Sequence, residues 1–127
     1  MIPRVNAISI QAWLESYSSS VPVAETAFPP RDALGKANRI KVPFIVFLDD
    51  IEPEGGDLTN LAKLHDVTIE YYCEDGNDSG FTKWLYDAGL KFTRTKTYIQ
   101  NEQLYLSTYS LNEILIEKET RLDGSSE

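Results

Sequence analysis

An α+β domain is what this sequence predicts: a mostly antiparallel β-sheet packed with two α-helices, in the order α-β-β-β-α-β-β. Three features carry that expectation. Val42-Pro43-Phe44-Ile45-Val46-Phe47-Leu48 is an apolar run of strand length, rich in β-branched and aromatic residues. Val67, Ile69, Tyr71 and Cys73 alternate with Thr68, Glu70 and Tyr72, which places the first set on one face of a long strand. Phe81, Trp84, Leu85 and Ala88 recur at i, i+3, i+4 and i+7, the spacing of one helix face.

The elements follow in chain order. Ile10, Trp13, Leu14 and Tyr17 share a helical face, with Asn6 or Ser9 as the cap and Ser18 to Pro22 as the stop. Val23 to Phe28 reads as a short strand closed by Pro29-Pro30, and Arg31 to Lys41 as a polar loop. Val42 to Asp49 reads as the central strand, covered on both faces, because no polar residue interrupts it before Asp49. Asp50 to Asn60, with Pro53, Gly55, Gly56 and several acids, reads as an exposed loop. The alternating strand then occupies Leu61 to Glu74. Glu74 to Asp78 forms a turn whose last members can cap the second helix, since short side-chain oxygens accept from the unpaired N–H groups of a first turn. Gly89 followed by Leu90 fits a left-handed helix stop with its apolar contact. Lys91 to Ile99 and Leu104 to Leu111 are two strands about a short polar turn, the second continuing towards Glu117.

With 127 residues the chain has room for one domain, expected over residues 1–122, with Asp123 to Glu127 as a flexible tail. Its 42% hydrophobic and 25% charged residues match a folded globular protein, which argues against intrinsic disorder. Twelve Lys and Arg against twenty Asp and Glu give a net charge of −8, which opposes adhesion to a phosphate backbone. The longest apolar run is far too short to span a bilayer and the N-terminus shows no signal-peptide core, so a cytoplasmic protein is expected. Cys73 is the only cysteine and has no partner for an internal disulfide.

Catalytic and metal motifs are weak. His65 is the only histidine, so any nucleophile–histidine arrangement would have to be built around it, and it is expected instead as a hydrogen-bonded strand residue at the sheet rim. Asp50, Glu52, Glu54 and Gly55 match the opening of a calcium loop, but its twelfth position is Leu61; Asp75, Asn77, Ser79 and Gly80 match likewise, with Tyr86 where the closing Glu belongs. Both are expected to be solvated loops, and no cofactor or metal is assigned. Gly55-Gly56 lacks the Lys-Ser or Lys-Thr of a phosphate cradle. The aromatic residues Trp13, Tyr17, Tyr71, Tyr72, Trp84, Tyr98, Tyr105 and Tyr109 are expected in core and sheet packing, and any left exposed would favour a protein interface.

Four blocks carry a resemblance: Val42-Pro43-Phe44-Ile45-Val46; Leu64-His65-Asp66-Val67-Thr68-Ile69-Glu70-Tyr71-Tyr72; Trp84-Leu85 to Ala88-Gly89-Leu90; and Thr97-Tyr98-Ile99-Gln100-Asn101-Glu102-Gln103-Leu104-Tyr105. In that order, after the Trp13-Leu14 helix and Val21-Pro22-Val23-Ala24, the chain up to about Leu111 resembles the small tail-completion proteins of long-tailed bacteriophages and prophages, which are similar to tail terminators. It departs from that pattern in the acidic Asp49–Asp57 segment, the short turn before the second helix, and Asn112 to Glu127. The resemblance implies a virion structural protein and no enzyme: a ring, expected as a hexamer, at the head-proximal end of the tail tube, contacting tail-tube and head-completion proteins while DNA passes through unbound. It implies assembly in the virion from the host bacterial cytoplasm, with no membrane partner and no catalytic residue. A ring needs two different complementary patches on each subunit. Candidate interaction residues are Asp49, Asp50, Glu52, Glu54 and Asp57, expected to project towards a lumen or an axial partner, together with Tyr98, Glu102 and Tyr105.

Two other function classes remain open at this point. An acidic domain that mimics DNA and inhibits a host nuclease would need a continuous acidic stripe, whereas Lys83, Lys91, Arg94 and Lys96 are interspersed around the second helix. A small hydrolase would need ionisable groups converging in a pocket.

Overall fold

The computed structural model describes residues 3–30, 40–53 and 63–116, and of 51–53 and 63 the backbone alone. The element order is β1 (Arg4–Val5), α1 (Ile10–Glu15), β2 (Val23–Glu25), β3 (Phe44–Pro53), β4 (Lys63–Cys73), α2 (Ser79–Asp87), β5 (Thr93–Ile99) and β6 (Leu104–Ile116). The α+β class with two helices is therefore as expected, but a strand precedes the first helix and the sheet is mixed. Its six strands run β1-β6-β4-β3-β2, with β5 also on β6. β3, β4, β6 and β5 are antiparallel neighbours, whereas β1 is parallel to β6 and β2 is parallel to β3. β2 falls within the strand expected over Val23 to Phe28, whereas β1, two residues long, is too short for a period-two signal; the parallel direction of each is set by its partner in the sheet, which residue spacing does not encode.

Both helices lie on one face of the sheet. On that face Ile45 and Phe47 of β3 oppose Tyr71 and Ile69 of β4, which oppose Ser107 and Tyr109 of β6. Val67, Ile69, Tyr71 and Cys73 are all buried, as their alternation predicts. α1 adds Ile10, Trp13 and Leu14, and α2 adds Phe81 and Leu85. Trp13 stacks on Trp84 at 5.1 Å between ring centroids, so the helices lock to each other as well as to the sheet. α1 begins at Ser9, whose side chain accepts from the Ala12 N–H at 3.0 Å. α2 ends at Gly89, which takes φ +80°, and Leu90 behind it is buried, as its helix-stop pattern predicts.

Two expectations about β3 are corrected. The strand at the centre is β4, and β3 lies one place nearer the edge. Nor is β3 covered on both faces, because Leu48 on the side away from the helices is 44% exposed. Further, Asp50 to Pro53 do not form a loop but continue β3, paired through Asp50↔Asp66, Ile51↔His65, Glu52↔Leu64 and Pro53↔Lys63. Backbone hydrogen bonding to β4 holds the acidic segment extended, whatever its side chains prefer. The remainder of that expected loop, the polar loop expected over 31–39 and the expected C-terminal tail lie outside the described residues.

β6 bends once. Between Val67↔Leu111 and His65↔Ile114 the register slips, placing Asn112 and Glu113 opposite Asp66. Glu113 takes φ 56° and its N–H donates to Asp66 Oδ1 at 2.9 Å, so the bulge keeps its backbone donor satisfied. Among the described residues no helix is long and apolar enough to cross a membrane.

Candidate functional site

Three places gather polar or exposed aromatic side chains. The first is the β5–β6 hairpin. Tyr98 and Tyr105 are cross-strand partners with ring centroids 4.9 Å apart, and Tyr98 is 48% exposed. Behind them Lys96 donates to the Gly76 carbonyl and sits over the Tyr105 ring at 5.5 Å. Gly76 has φ +76°, and a Cβ there would come within 3.2 Å of the Tyr105 ring, so any other residue would be strained in its backbone and crowd the ring. Glu102 stands exposed in the connecting turn, where its N–H donates to the Ile99 carbonyl at 3.2 Å.

The second is a network under α2. Asp78 occupies the N-cap position, but its side chain makes no cap hydrogen bond. Its carboxylate instead accepts from Arg94 Nε and Nη2, both at 2.8 Å, and from the Tyr109 hydroxyl at 2.6 Å. Thr82 donates to the Asp78 carbonyl at 2.9 Å and lies 2.8 Å from the Tyr109 hydroxyl. The cap role passes to Asn77, whose side-chain oxygen accepts from the Ser79 N–H, while Asp75 accepts from the Asn77 N–H. In the second calcium-like pattern Asp75 and Asn77 are thus spent on turn bonds, while Ser79 and Gly80 belong to the first turn of α2 and not to the expected loop.

Burial pushes the Asp78 carboxyl up, but the hydrogen bonds led by Arg94 outweigh it and hold the group well below the usual carboxylate range. The same bonds raise the Arg94 guanidinium. Burial, then the charge and hydrogen bond of Asp78, push the Tyr109 phenol up to about 12. Because the folded-state value of Asp78 lies below its ordinary 3.8, the stability it contributes is fully present above that value and is lost as pH falls through the lower folded one. Unfolding free energy should therefore drop with pH below about 4, and less steeply in Asp78→Asn. Identical slopes for the two proteins, from denaturant melts across that range, would show that this carboxylate is not the group responsible.

A shallow groove of about 470 Å³ runs beside the network, lined by Asp78, Ser79, Thr82, Lys83, Tyr86 and Arg94. Tyr86 forms its wall and is 74% exposed, while Lys83 pairs with Asp87 one helical turn on. Sequence reading missed the buried role of Asp78 and the docking of Arg94. Nothing in the spacing of the two residues announces that a cap position faces a strand.

The third place is the far end of β3 and β4. His65 Nδ1 lies 2.8 Å from Asp49 Oδ1, and both side chains are largely buried. This accounts for the histidine as a rim hydrogen-bond partner, as expected. Asp50 faces Asp66 across the strands. Of the acidic candidates, Asp49, Asp50 and Glu52 are thus strand residues, and Glu54 and Asp57 lie outside the described residues. The candidates do not converge on one site: along β4, Val67 opposite Asp49 and Cys73 opposite Tyr105 are separated by ~20 Å at the rise of an extended strand. Among the described residues no group of three or more His, Cys, Asp or Glu side chains could hold a metal ion.

No protein-family model matches this sequence, and no curated protein does.

Proposed function

We propose that this chain is a structural subunit of a long-tailed phage or prophage virion, a tail terminator that forms a ring on the head-proximal end of the tail tube and joins tail to head. The observation that carries this reading is the exposed β5–β6 hairpin. It is built by the residues that bear the family resemblance, Thr97 to Tyr105, and it presents Tyr98 against Tyr105 with Glu102 at its tip. Exposed tyrosine on a rigid hairpin suits a protein contact, since it buries a large apolar area with little loss of side-chain freedom. The ionisable groups at the other two places serve the fold: Asp78 holds Arg94, and Asp49 holds His65. In this reading the partners are other copies of the chain, expected as six, the tail-tube protein and a head-completion protein. The net charge of −8 lets DNA pass without adhering.

Deleting the encoding gene from an inducible phage genome should yield tails of irregular length and filled heads without tails. The wild-type gene supplied in trans should restore joining. A double Tyr98→Ala, Glu102→Ala variant should restore it poorly while changing stability by no more than about 0.5 kcal/mol, as surface substitutions do. Particles lacking the protein that carry normal tails on filled heads would end this reading.

A further inference from the structure

We propose that this protein binds an extended segment of a partner protein as an added strand on the outer edge of β5, with large uncharged side chains at alternate positions of that segment seated in the groove between β5 and α2. β5 is paired to β6 on one side only, no described strand lies on its other side, and Thr93 to Tyr98 are all exposed. The chain before and after it, through α2 and through β6 to Ile116, is described throughout. Unpaired N–H and C=O groups along an extended strand are a template for another strand.

The groove beside that edge supplies places for side chains. Of its lining residues, Ser79, Thr82, Lys83 and Tyr86 stand on α2, and Arg94 is the one contributed by the sheet. Its walls are therefore the helix and the edge strand, with about 470 Å³ between them. A segment paired to β5 directs every second side chain to the helix side of the sheet, where Arg94, Lys96 and Tyr98 also stand. Tyr86 on the groove wall and Tyr98 on the strand are two of the large apolar side chains most exposed on the described surface. On the other face β5 presents Thr93, Thr95 and Thr97, which suit threonine or valine beside them.

The engagement of the local charges sets the chemistry of the occupant. Arg94 is bound by Asp78, Lys83 by Asp87, and Lys96 by the Gly76 carbonyl. Each charged residue lining the groove is thus already paired, and a charged side chain entering it would lose water without gaining a partner. An aromatic or aliphatic side chain instead meets the Tyr86 ring and the stem of Lys83. A second copy of this chain fits less well, because each copy carries a net charge of −8 and an electrically neutral groove offers nothing to offset their repulsion. The proposal stands without the terminator reading.

Fluorescence anisotropy of a labelled peptide, with amide hydrogen exchange on the complex, tests this directly. The probe is Thr-Val-Thr-Phe-Thr-Val-Thr followed by two lysines for solubility, and every control carries the same tail. It should bind and slow exchange at residues 93–99. N-methylating one alternate set of peptide amides should weaken binding about fivefold or more, and methylating the other set should not, because only one set faces β5. Replacing the phenylalanine with aspartate or lysine should weaken binding about tenfold or more, as should Tyr86→Ala in the protein, while Tyr86→Phe should bind as wild type does. Circular dichroism checks that both variants are folded. The inference is overturned if the probe does not bind by about 1 mM, if it binds without protection of 93–99, if the two methylated sets act alike, or if a charged peptide or Tyr86→Ala binds equally well. Protection of 93–99 that rises with protein concentration in the absence of peptide would assign the edge to a second copy and overturn it. Protection in the free monomer that is lost on truncation after Ile116 would assign the edge to this chain's own residues 117–127, with the same result. Peptide binding of the expected kind together with normal tails after gene deletion would uphold the strand site and remove the terminator reading. Absence of binding together with irregular tails would do the reverse.

Discussion

Replacing Phe81 with Ala is expected to destabilise the fold by about 4 kcal/mol, the range measured when a buried phenylalanine is truncated to leave a void. Phe81 is wholly buried. Its ring stacks on Tyr71 at 5.1 Å and on Trp84 at 5.7 Å, and it meets Tyr17 and Tyr109 edge-on at 5.0 and 5.3 Å. Those four rings belong to the segment after α1, to β4, to α2 and to β6, so one side chain holds both helical regions to the two inner strands. None of the four can move into the space without giving up its own packing. Phe81→Leu should recover much of the loss, because it keeps most of the volume. Denaturant unfolding with an unchanged slope would measure the effect. A loss below about 1 kcal/mol would mean that the aromatic cluster collapses around the gap.

The second large effect is expected at Asp78. Asp78→Ala should cost about 3 kcal/mol, since removing one partner of a buried ion pair leaves the other charge and its donors unanswered. Arg94 would lose both bonds of its fork, and the Tyr109 hydroxyl its 2.6 Å acceptor. Asp78 lies almost wholly inside, while Arg94 remains about one third exposed, so the reverse substitution Arg94→Ala strands a buried carboxylate with one remaining donor. In a double-mutant cycle the two changes should be clearly non-additive. Additive losses would show that the ion pair stabilises little and that each residue acts through its other contacts.

How much of this was legible in the residues differs from element to element. α2 could be read from Phe81, Trp84, Leu85 and the Gly89-Leu90 stop, and β4 from the alternation Val67, Ile69, Tyr71, Cys73, because each pattern reports directly which side of a regular element faces the core. β2 was legible within Val23 to Phe28, but β1 could not be read. A strand of two residues has no period, and the parallel direction of either strand depends on which partner it meets in the sheet. Asp50 to Pro53 misled for a related reason. Acids and proline signal a turn when taken alone, yet β4 supplies backbone partners through to Lys63. The Asp78–Arg94–Tyr109 network left no trace beyond a residue suited to a helix cap, since the bond that claims Asp78 spans sixteen residues to Arg94 and thirty-one to Tyr109.

Composition and local periodicity thus established an acidic α+β domain with two amphipathic helices against a sheet, because burial writes itself into the spacing of apolar side chains. Which strands stand side by side, where the backbone is left without partners, and which carboxylate goes inside were set by chain folding. Hydrogen bonds between distant segments depend on the path of the backbone, and no residue spacing encodes that path.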